Sequence, residues 1–363
     1  MYLGRMGDLE VPPRDFEPPQ RGKLRILSID GGGIRGLIPA IVLSRLEELL
    51  RARDPDASLA SSFELLAGTS TGGLIALGLA TPRDGAPAMS AAEMVDLYSG
   101  DEARRIFSRP ALRSLPGVDR IIDALDPRYE LDGLREVLAG RLGEARLADA
   151  LTGLVITTYD MQGRQPRFLK PWQAGAAELS AVDAGLATAA APTYFPPLRS
   201  GDATFVDGGV FVNNPTVAAT MEAMKRQEGD PIHADDLLVL SLGTGQYERA
   251  YDPDDVAGWG ALGWILPTQG EPPLISAMLD GQSDSAHHWA HILLNHRPGS
   301  EPDRGIDMGA GPRYFRLQLH LPEPLPLDGV EPDEIERIAE CGRALVDARA
   351  DELEAFADVL TSP

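Results

Sequence analysis

The 363-residue sequence has a single cysteine, Cys341, so no disulfide can form within the chain. Proteins without disulfides are typical of reducing compartments. Residues 1–23 contain no apolar run of the kind that forms the core of a signal peptide. A run of about 18 consecutive apolar residues, which a membrane-spanning helix needs, is also missing. The sequence therefore predicts a cytoplasmic protein without a transmembrane span, and a peripheral contact with a membrane stays open.

Basic residues are scarce as well. Lys and Arg number 33 against 55 Asp and Glu, which gives a net charge of -22 and a pI near 4.6. A surface of this sign repels the phosphates of nucleic acids, so a nucleic-acid polymer is excluded as a partner. It also disfavours attraction to an anionic membrane by charge alone. The hydrophobic content of 43% is sufficient for the core of one large domain.

The sequence does contain many short apolar runs separated by helical patterns. Residues 24–29, 154–158 and 237–242 are continuous apolar or β-branched runs, and each of them predicts a buried strand. The segments that follow such runs repeat apolar residues at helical spacing. This alternation predicts an α/β fold with a mostly parallel sheet that helices cover on both faces.

A glycine-rich segment, DGGGIRG from Asp30 to Gly36, lies between the first predicted strand and the first predicted helix. Glycine adopts positive φ without a Cβ clash, so Gly31, Gly32 and Gly33 can direct their N–H groups into one concavity at the positive end of the helix. Such a concavity binds either a phosphate or the oxyanion that forms when a carbonyl is attacked.

A second segment, GTSTG at residues 68–72, matches the G-x-S-x-G nucleophile elbow. It follows an apolar run and precedes a helical pattern, which is the context that this motif requires. The tight turn brings backbone segments close together, and Gly68 and Gly72 are small enough for that. The segment predicts Ser70 as a nucleophile at the tip of the turn.

A serine nucleophile needs a base to accept its proton. All six histidines lie at or beyond His233, whereas Asp207 lies at the end of a short predicted strand. Gly208 and Gly209 follow Asp207 and allow a tight turn that leaves its carboxylate accessible. An ordinary aspartate is a poor base for an alcohol, so burial would have to raise its pKa.

Taken together, the segments 30–36, 68–72 and 207–209 resemble the three signature blocks of the patatin-like phospholipases. The sequences AAPTYFP at 190–196 and LSLGTG at 240–245 are also similar to that family. The resemblance covers residues 24–245, with a weaker similarity to about residue 319.

The resemblance implies a three-layer α/β/α fold and a bacterial acyl hydrolase that cleaves lipid esters of the phospholipase A or lysophospholipase type. It implies Ser70 as the nucleophile that forms an acyl-enzyme and Asp207 as the general base. The implied oxyanion hole is the backbone of the three glycines, with Arg35 beside it. The remaining residues matched to the motifs are glycines: Gly36, Gly68, Gly72, Gly208 and Gly209. The implied substrate is a phospholipid or another acyl lipid, and neither a cofactor nor a metal is required.

Three alternatives remain open at this point. Gly31, Gly33 and Gly36 also satisfy the dinucleotide-binding pattern G-x-G-x-x-G, although no acidic residue follows at the end of a second strand. A Ser-Asp-His triad would need a histidine from the group His287, His288 and His291. Some bacterial patatin-like phospholipases are antiphage effectors activated by cyclic nucleotides, so a small nucleotide activator is a third possibility.

We expect three regions in the chain. Residues 1–23, with four prolines, are predicted to form a flexible arm. Residues 24–320 are predicted to form the patatin-like catalytic domain, with a loop-rich insert at 251–313. Residues 321–363 are predicted to form a helical segment, interrupted near Gly342, on the same domain. Within the insert, residues 259–266 carry two tryptophans between glycines and are the candidate for contact with a lipid surface.

Overall fold

The computed structural model describes residues 9, 11–108, 126–225, 231–247, 251–266, 272–295 and 310–362. Its strands are β1 Leu24–Ile29, β2 Leu65–Thr69, β3 Pro82–Arg83, β4 Ala86–Pro87, β5 Gly153–Asp160, β6 Gln165–Leu169, β7 Leu198–Ser200, β8 Ala203–Asp207, β9 Leu237–Leu242 and β10 Tyr314–Leu317. Strands β3 and β4 form a small hairpin, and the others form one sheet.

The order in the main sheet is β10-β9-β1-β2-β5-β8-β7, and β6 also pairs with β5. The strands from β10 to β5 are parallel to one another. Strands β6, β7 and β8 extend the sheet with antiparallel pairs. Thus the parallel part holds the first predicted strand at its centre, and the carboxyl ends of its neighbours lie at the same edge.

Helices surround this sheet. They are α1 Leu37–Arg53, α2 Leu59–Ser62, α3 Thr71–Ala80, α4 Ala91–Ser99, α5 Asp101–Ile106, α6 Leu131–Leu142, α7 Ala181–Ala189, α8 Thr216–Lys225, α9 Pro253–Ala257, α10 Ala261–Ile265, α11 Pro273–Asn295, α12 Pro332–Ala348 and α13 Ala350–Thr361. No helix in the described ranges has both the length and the apolar character to cross a bilayer.

Two hydrophobic cores lie on opposite faces of the sheet. Successive residues of a strand point to opposite faces, so Leu27 of β1 packs in the larger core, with α1 and α3, whereas Ile26 packs in the smaller one. Helices α8 and α11 cover the smaller core with residues such as Ala219 and Ala290. The predicted three-layer α/β/α fold with a mostly parallel sheet is confirmed.

The described part of the N-terminal arm packs against the body of the protein, which differs from the flexible arm that its composition predicts. The Arg14 guanidinium forms a bidentate ion pair with the two carboxylate oxygens of Glu352, with N–O distances of 2.7 and 2.9 Å. Both side chains are about 5% exposed or less. The Arg349 guanidinium donates to the Pro12 carbonyl at 2.8 Å. Val11 and Phe16 also pack against the larger core.

The insert is helical where it is described, so the prediction of a loop-rich segment is wrong there. It contains α9, α10 and the 23-residue helix α11. The buried face of α11 consists largely of small and polar residues, among them Ser283, Ala286 and His287. A face of this kind gives little hydrophobic periodicity, which is the main signal of a helix in a sequence.

The C-terminal segment forms two helices that meet at Arg349, not at Gly342. Gly342 lies inside α12, where a Cβ would be 2.8 Å from Ile41 Cδ1 of α1. The glycine therefore permits a close approach of two helices rather than ending one of them. The break occurs where the buried Arg349 turns toward Glu352 and the N-terminal segment.

Candidate active site

Ser70 lies in the turn between β2 and α3, with φ 53° and ψ -124°. Few residues other than glycine adopt positive φ, and a strained nucleophile is a feature of the elbow motif. A Cβ on Gly68 would lie 2.1 Å from the Gly72 carbonyl oxygen, and a Cβ on Gly72 would lie 2.2 Å from that of Ile29. Neither of these two positions therefore has room for a side chain.

Threonine side chains fix this turn from neighbouring elements. The Ser70 N–H donates to Thr188 Oγ1 of α7 at 2.9 Å. The Thr69 hydroxyl donates to the Val212 carbonyl and accepts from Thr157, each at 2.8 Å. Sequence reasoning missed these threonines, because their contacts depend on the order of the strands and lie far apart in the chain.

Asp207 reaches the same edge of the sheet from β8, which runs antiparallel to β5 with Asp207 opposite Thr158. In open α/β sheets, functional residues usually follow the carboxyl ends of parallel strands. Asp207 instead lies at the end of an antiparallel strand. The carboxylate accepts the Gly209 N–H at 2.7 Å, and the Ser70 hydroxyl is near enough to lower the pKa of the carboxyl as a hydrogen-bond donor. The structure thus brings Ser70 and Asp207 together in the wall of one cavity.

Burial changes the acid-base behaviour of Asp207. Asp207 is 5% exposed, and loss of solvation raises the pKa of its carboxyl from the ordinary 3.8 to about 6. The hydrogen bonds from Ser70 and Gly209 lower the pKa, but by less than burial raises it. A base with this pKa is still deprotonated at neutral pH and accepts a proton more readily than an ordinary aspartate.

The glycine segment folds back over Ser70. Gly33 has φ 58°, and a Cβ there would lie 2.1 Å from the Leu327 carbonyl oxygen. Gly31 N–H donates to the Asn213 carbonyl at 3.1 Å, so this group is already engaged, contrary to its predicted place in the oxyanion hole. Gly33 opens a 3-10 helix, whose first N–H has no partner within the helix. Gly32 and Gly33 both line the cavity at Ser70.

The cavity at Ser70 has a volume of about 280 Å³. Ser70, Asp207, Gly32 and Gly33 form its polar end. Apolar side chains make up most of the remaining wall, among them Leu74, Ile106, Phe107, Leu134, Phe195 and Met278. An acyl chain fits the chemistry of this wall, and its ester carbonyl would then lie at the polar end.

Arg35 does not line this cavity. It lies instead at a second, more polar cavity of about 490 Å³, which Gly31 and Asn213 also line. Arg35 therefore lies beside the polar cavity and not at the polar end of the Ser70 cavity, where its predicted place beside the oxyanion hole would put it.

A buried ion pair lies under the glycine segment. The Arg316 guanidinium on β10 donates to both oxygens of Asp30 at 2.8 and 2.6 Å, and both side chains are 2–3% exposed. Arg316 also donates to Ser241 at 2.9 Å, and Ser283 donates to Asp30 at 3.3 Å. Local sequence patterns do not predict this pair, since the two residues are 286 positions apart.

Histidine does not occur among the described residues that line the Ser70 cavity. His287 is buried on α11, where its Nδ1 lies 2.8 Å from the Tyr314 hydroxyl. This contact joins α11 to the edge strand β10. It gives His287 a packing role.

A serine on a strained elbow, a buried carboxylate and backbone donors beside an apolar cavity define the class of serine-type ester hydrolases. Residues 27–220 match the family described as patatin-like phospholipase. The chain is 36% identical to patatin-like protein 2 of Arabidopsis thaliana over 301 residues, which are 76% of this chain and 74% of that protein. It is 37% identical to patatin-07 of Solanum tuberosum over 269 residues, or 67% of each. The chain belongs to the patatin-like phospholipase family, and it is a hydrolase of lipid esters.

Among solved structures, the chain is similar to VipD from Legionella pneumophila. That comparison has a TM-score of 0.43 and 13% sequence identity, and it covers 94% of this chain and 71% of VipD.

Proposed function

We propose that the protein hydrolyses the carboxylic esters of phospholipids or other acyl lipids through a Ser70–Asp207 dyad and an acyl-enzyme intermediate. The observation that carries this proposal is the position of Ser70 and the buried carboxyl of Asp207 together at the polar end of an apolar cavity. The family and the lipid-ester class agree with it.

In the first half of the reaction, Ser70 Oγ attacks the ester carbonyl carbon while Asp207 accepts the hydroxyl proton. The carbonyl oxygen becomes an oxyanion, which the N–H groups of Gly32 and Gly33 stabilise. The C–O bond to the alcohol then breaks, and Asp207 returns its proton to the departing alkoxide. A water molecule next attacks the acyl-enzyme with Asp207 again as base, and the fatty acid is released with Ser70 restored.

Peripheral contact with a lipid surface belongs to the same proposal. Large apolar side chains are exposed on α10 and just after it: Leu262, Trp264, Ile265 and Leu266. Leu274 and Met278 of α11 are exposed too, and Met278 lines the cavity at Ser70. We propose that this surface, Leu262 to Leu266 with Leu274 and Met278, is the lipid-facing surface of the enzyme. It would bring the mouth of the acyl cavity to the substrate.

The test compares purified variants on p-nitrophenyl butyrate and on a phospholipid. Ser70→Ala and Asp207→Asn should each lower kcat by at least about 10³-fold, because each removes one member of the dyad. His288→Ala is the matched control, since its ring lies away from the cavity, and it should keep its activity. A Ser70→Ala protein with normal turnover would contradict the proposal. Activity that appears only with cyclic di- or trinucleotides would favour a ligand-gated enzyme.

A further inference from the structure

Helix α11 forms a partition between the two cavities. One stripe of its first half lines the apolar cavity at Ser70: Ile275, Met278 and Leu279. A second stripe lines the larger polar cavity: Ser276, Asp280, Ser283 and Asp284. Both sets follow helical spacing, so a single helix presents an apolar side to one space and a polar side to the other.

The polar cavity begins next to the nucleophile. Gly31 lines it, and a Cβ on Gly31 would lie 3.2 Å from Ser70 Cβ. Asn213 and Leu279 line both cavities, so the two spaces meet at a shared wall. An ester whose carbonyl lies at Ser70 therefore has an apolar space available for its acyl chain and a polar space available for its alcohol half.

The charges of the polar cavity favour a cation. Asp280 and Asp284 contribute two carboxylates, and Arg35 contributes one guanidinium. Asp30 also lines the cavity, but its charge is balanced by the bidentate contact with Arg316. Asp284 accepts a hydrogen bond from the neutral amide of Gln246 at 3.3 Å, a contact that does not offset its negative charge.

We propose that the polar cavity is the head-group subsite of the enzyme and that Asp280 and Asp284 select head groups with an ammonium group over head groups of net negative charge. This inference rests on the proposed hydrolysis of lipid esters. The two carboxylates and the one guanidinium complement a zwitterionic phospholipid, whose cation and phosphate lie a few bonds apart. A head group without a cation leaves the phosphate charge unbalanced, and the carboxylates of α11 repel it.

The experiment measures kcat/KM for dihexanoyl phosphatidylcholine and dihexanoyl phosphatidylglycerol, both as monomers in solution, so that surface binding does not contribute. The unmodified protein should prefer the choline lipid. The double variant Asp280→Asn, Asp284→Asn should lower the choline-to-glycerol ratio by roughly tenfold, because it keeps the shape and removes both charges. Asp347→Asn is the control, since Asp347 is exposed on α12 and its loss removes a charge far from the cavity.

An unchanged ratio in the double variant would overturn the inference, and so would a preference of the unmodified protein for phosphatidylglycerol. Failure of the proposed function has a different signature, namely that neither lipid nor p-nitrophenyl butyrate is hydrolysed. If the double variant does not fold, inhibition of the unmodified protein decides. Glycerophosphocholine should inhibit p-nitrophenyl butyrate hydrolysis more strongly than glycerophosphoglycerol, and equal inhibition would contradict the subsite.

Discussion

At the scale of single residues, burial gives Asp207 the raised pKa that the proposed general base needs. Because burial removes the solvation of the charged form, the carboxyl is mostly deprotonated only above about pH 6. Between the unfolded pKa of 3.8 and the folded pKa of about 6, the folded protein binds more protons at this site than the unfolded chain does. Its contribution therefore lowers the free energy of unfolding as the pH rises through this window.

Asp207→Asn should therefore stabilise the protein while inactivating it. We expect the free energy of unfolding to rise by on the order of 1–3 kcal/mol at pH 8, and this gain should vanish below about pH 3, where the carboxyl of Asp207 is protonated in both the folded and the unfolded state. Urea unfolding at both pH values measures the effect. Asp160→Asn is the control of opposite sign, because hydrogen bonds from the backbone of Gly163 and Thr204 lower the pKa of Asp160. A loss of stability in Asp207→Asn at pH 8 would contradict this account.

At the scale of elements, Gly33 of the glycine segment has both a positive φ and a close contact with the Leu327 carbonyl. The effect of the strained φ and the effect of the close contact can be separated with two variants. Gly33→Ala should lower kcat by about 10²–10³-fold, because its Cβ would displace the backbone from the Leu327 carbonyl and move an oxyanion donor. Gly143→Ala is a matched control. Gly143 has a similar φ of 63° but no atom within 4 Å of the added Cβ. It should lose some stability and keep kcat. Equal turnover in both folded variants would place the donors elsewhere.

Helices α10 and α11 carry the surface that we propose to face the lipid. Trp264→Ala should lower the rate on phosphatidylcholine vesicles by roughly tenfold more than the rate on a monomeric short-chain ester, because the indole contributes apolar area only at an interface. Trp172→Ala is the control, since Trp172 and Trp264 are each 37% exposed. It should affect both substrates equally. Equal losses in Trp264→Ala would indicate a packing role instead of lipid contact.

The same elements show how far the sequence leads. The elbow around Ser70 and the glycine segment could be predicted because each is a short local pattern whose residue types follow from the turn geometry. Helix α11 could not, because its buried face depends on residues such as Ser283 and Ala286 that carry no strong hydrophobic signal. The Asp30–Arg316 pair and the Thr188 contact to Ser70 depend on strand order, which local patterns do not encode.

At the scale of the whole molecule, the net charge of -22 and the apolar surface point to one mode of contact with lipid. Asp252, Asp254 and Asp255 of the α9 region are exposed close in sequence to the lipid-facing surface. Anionic bilayers would be repelled, so binding must come from apolar contact with uncharged or zwitterionic lipid. The proposed head-group subsite has the same preference for zwitterionic lipid, because the carboxylates of α11 line the polar cavity. Surface and subsite thus favour the same class of lipid.

The central claim is that one serine of the whole chain forms the acyl-enzyme, and mass spectrometry after treatment with a fluorophosphonate tests it most directly. The reagent phosphonylates a serine that a neighbouring base activates. We predict that the intact protein gains the mass of one adduct, that the modified peptide contains Ser70, and that Asp207→Asn reacts far more slowly. An adduct on another residue, or labelling at the normal rate in Ser70→Ala, would contradict the account.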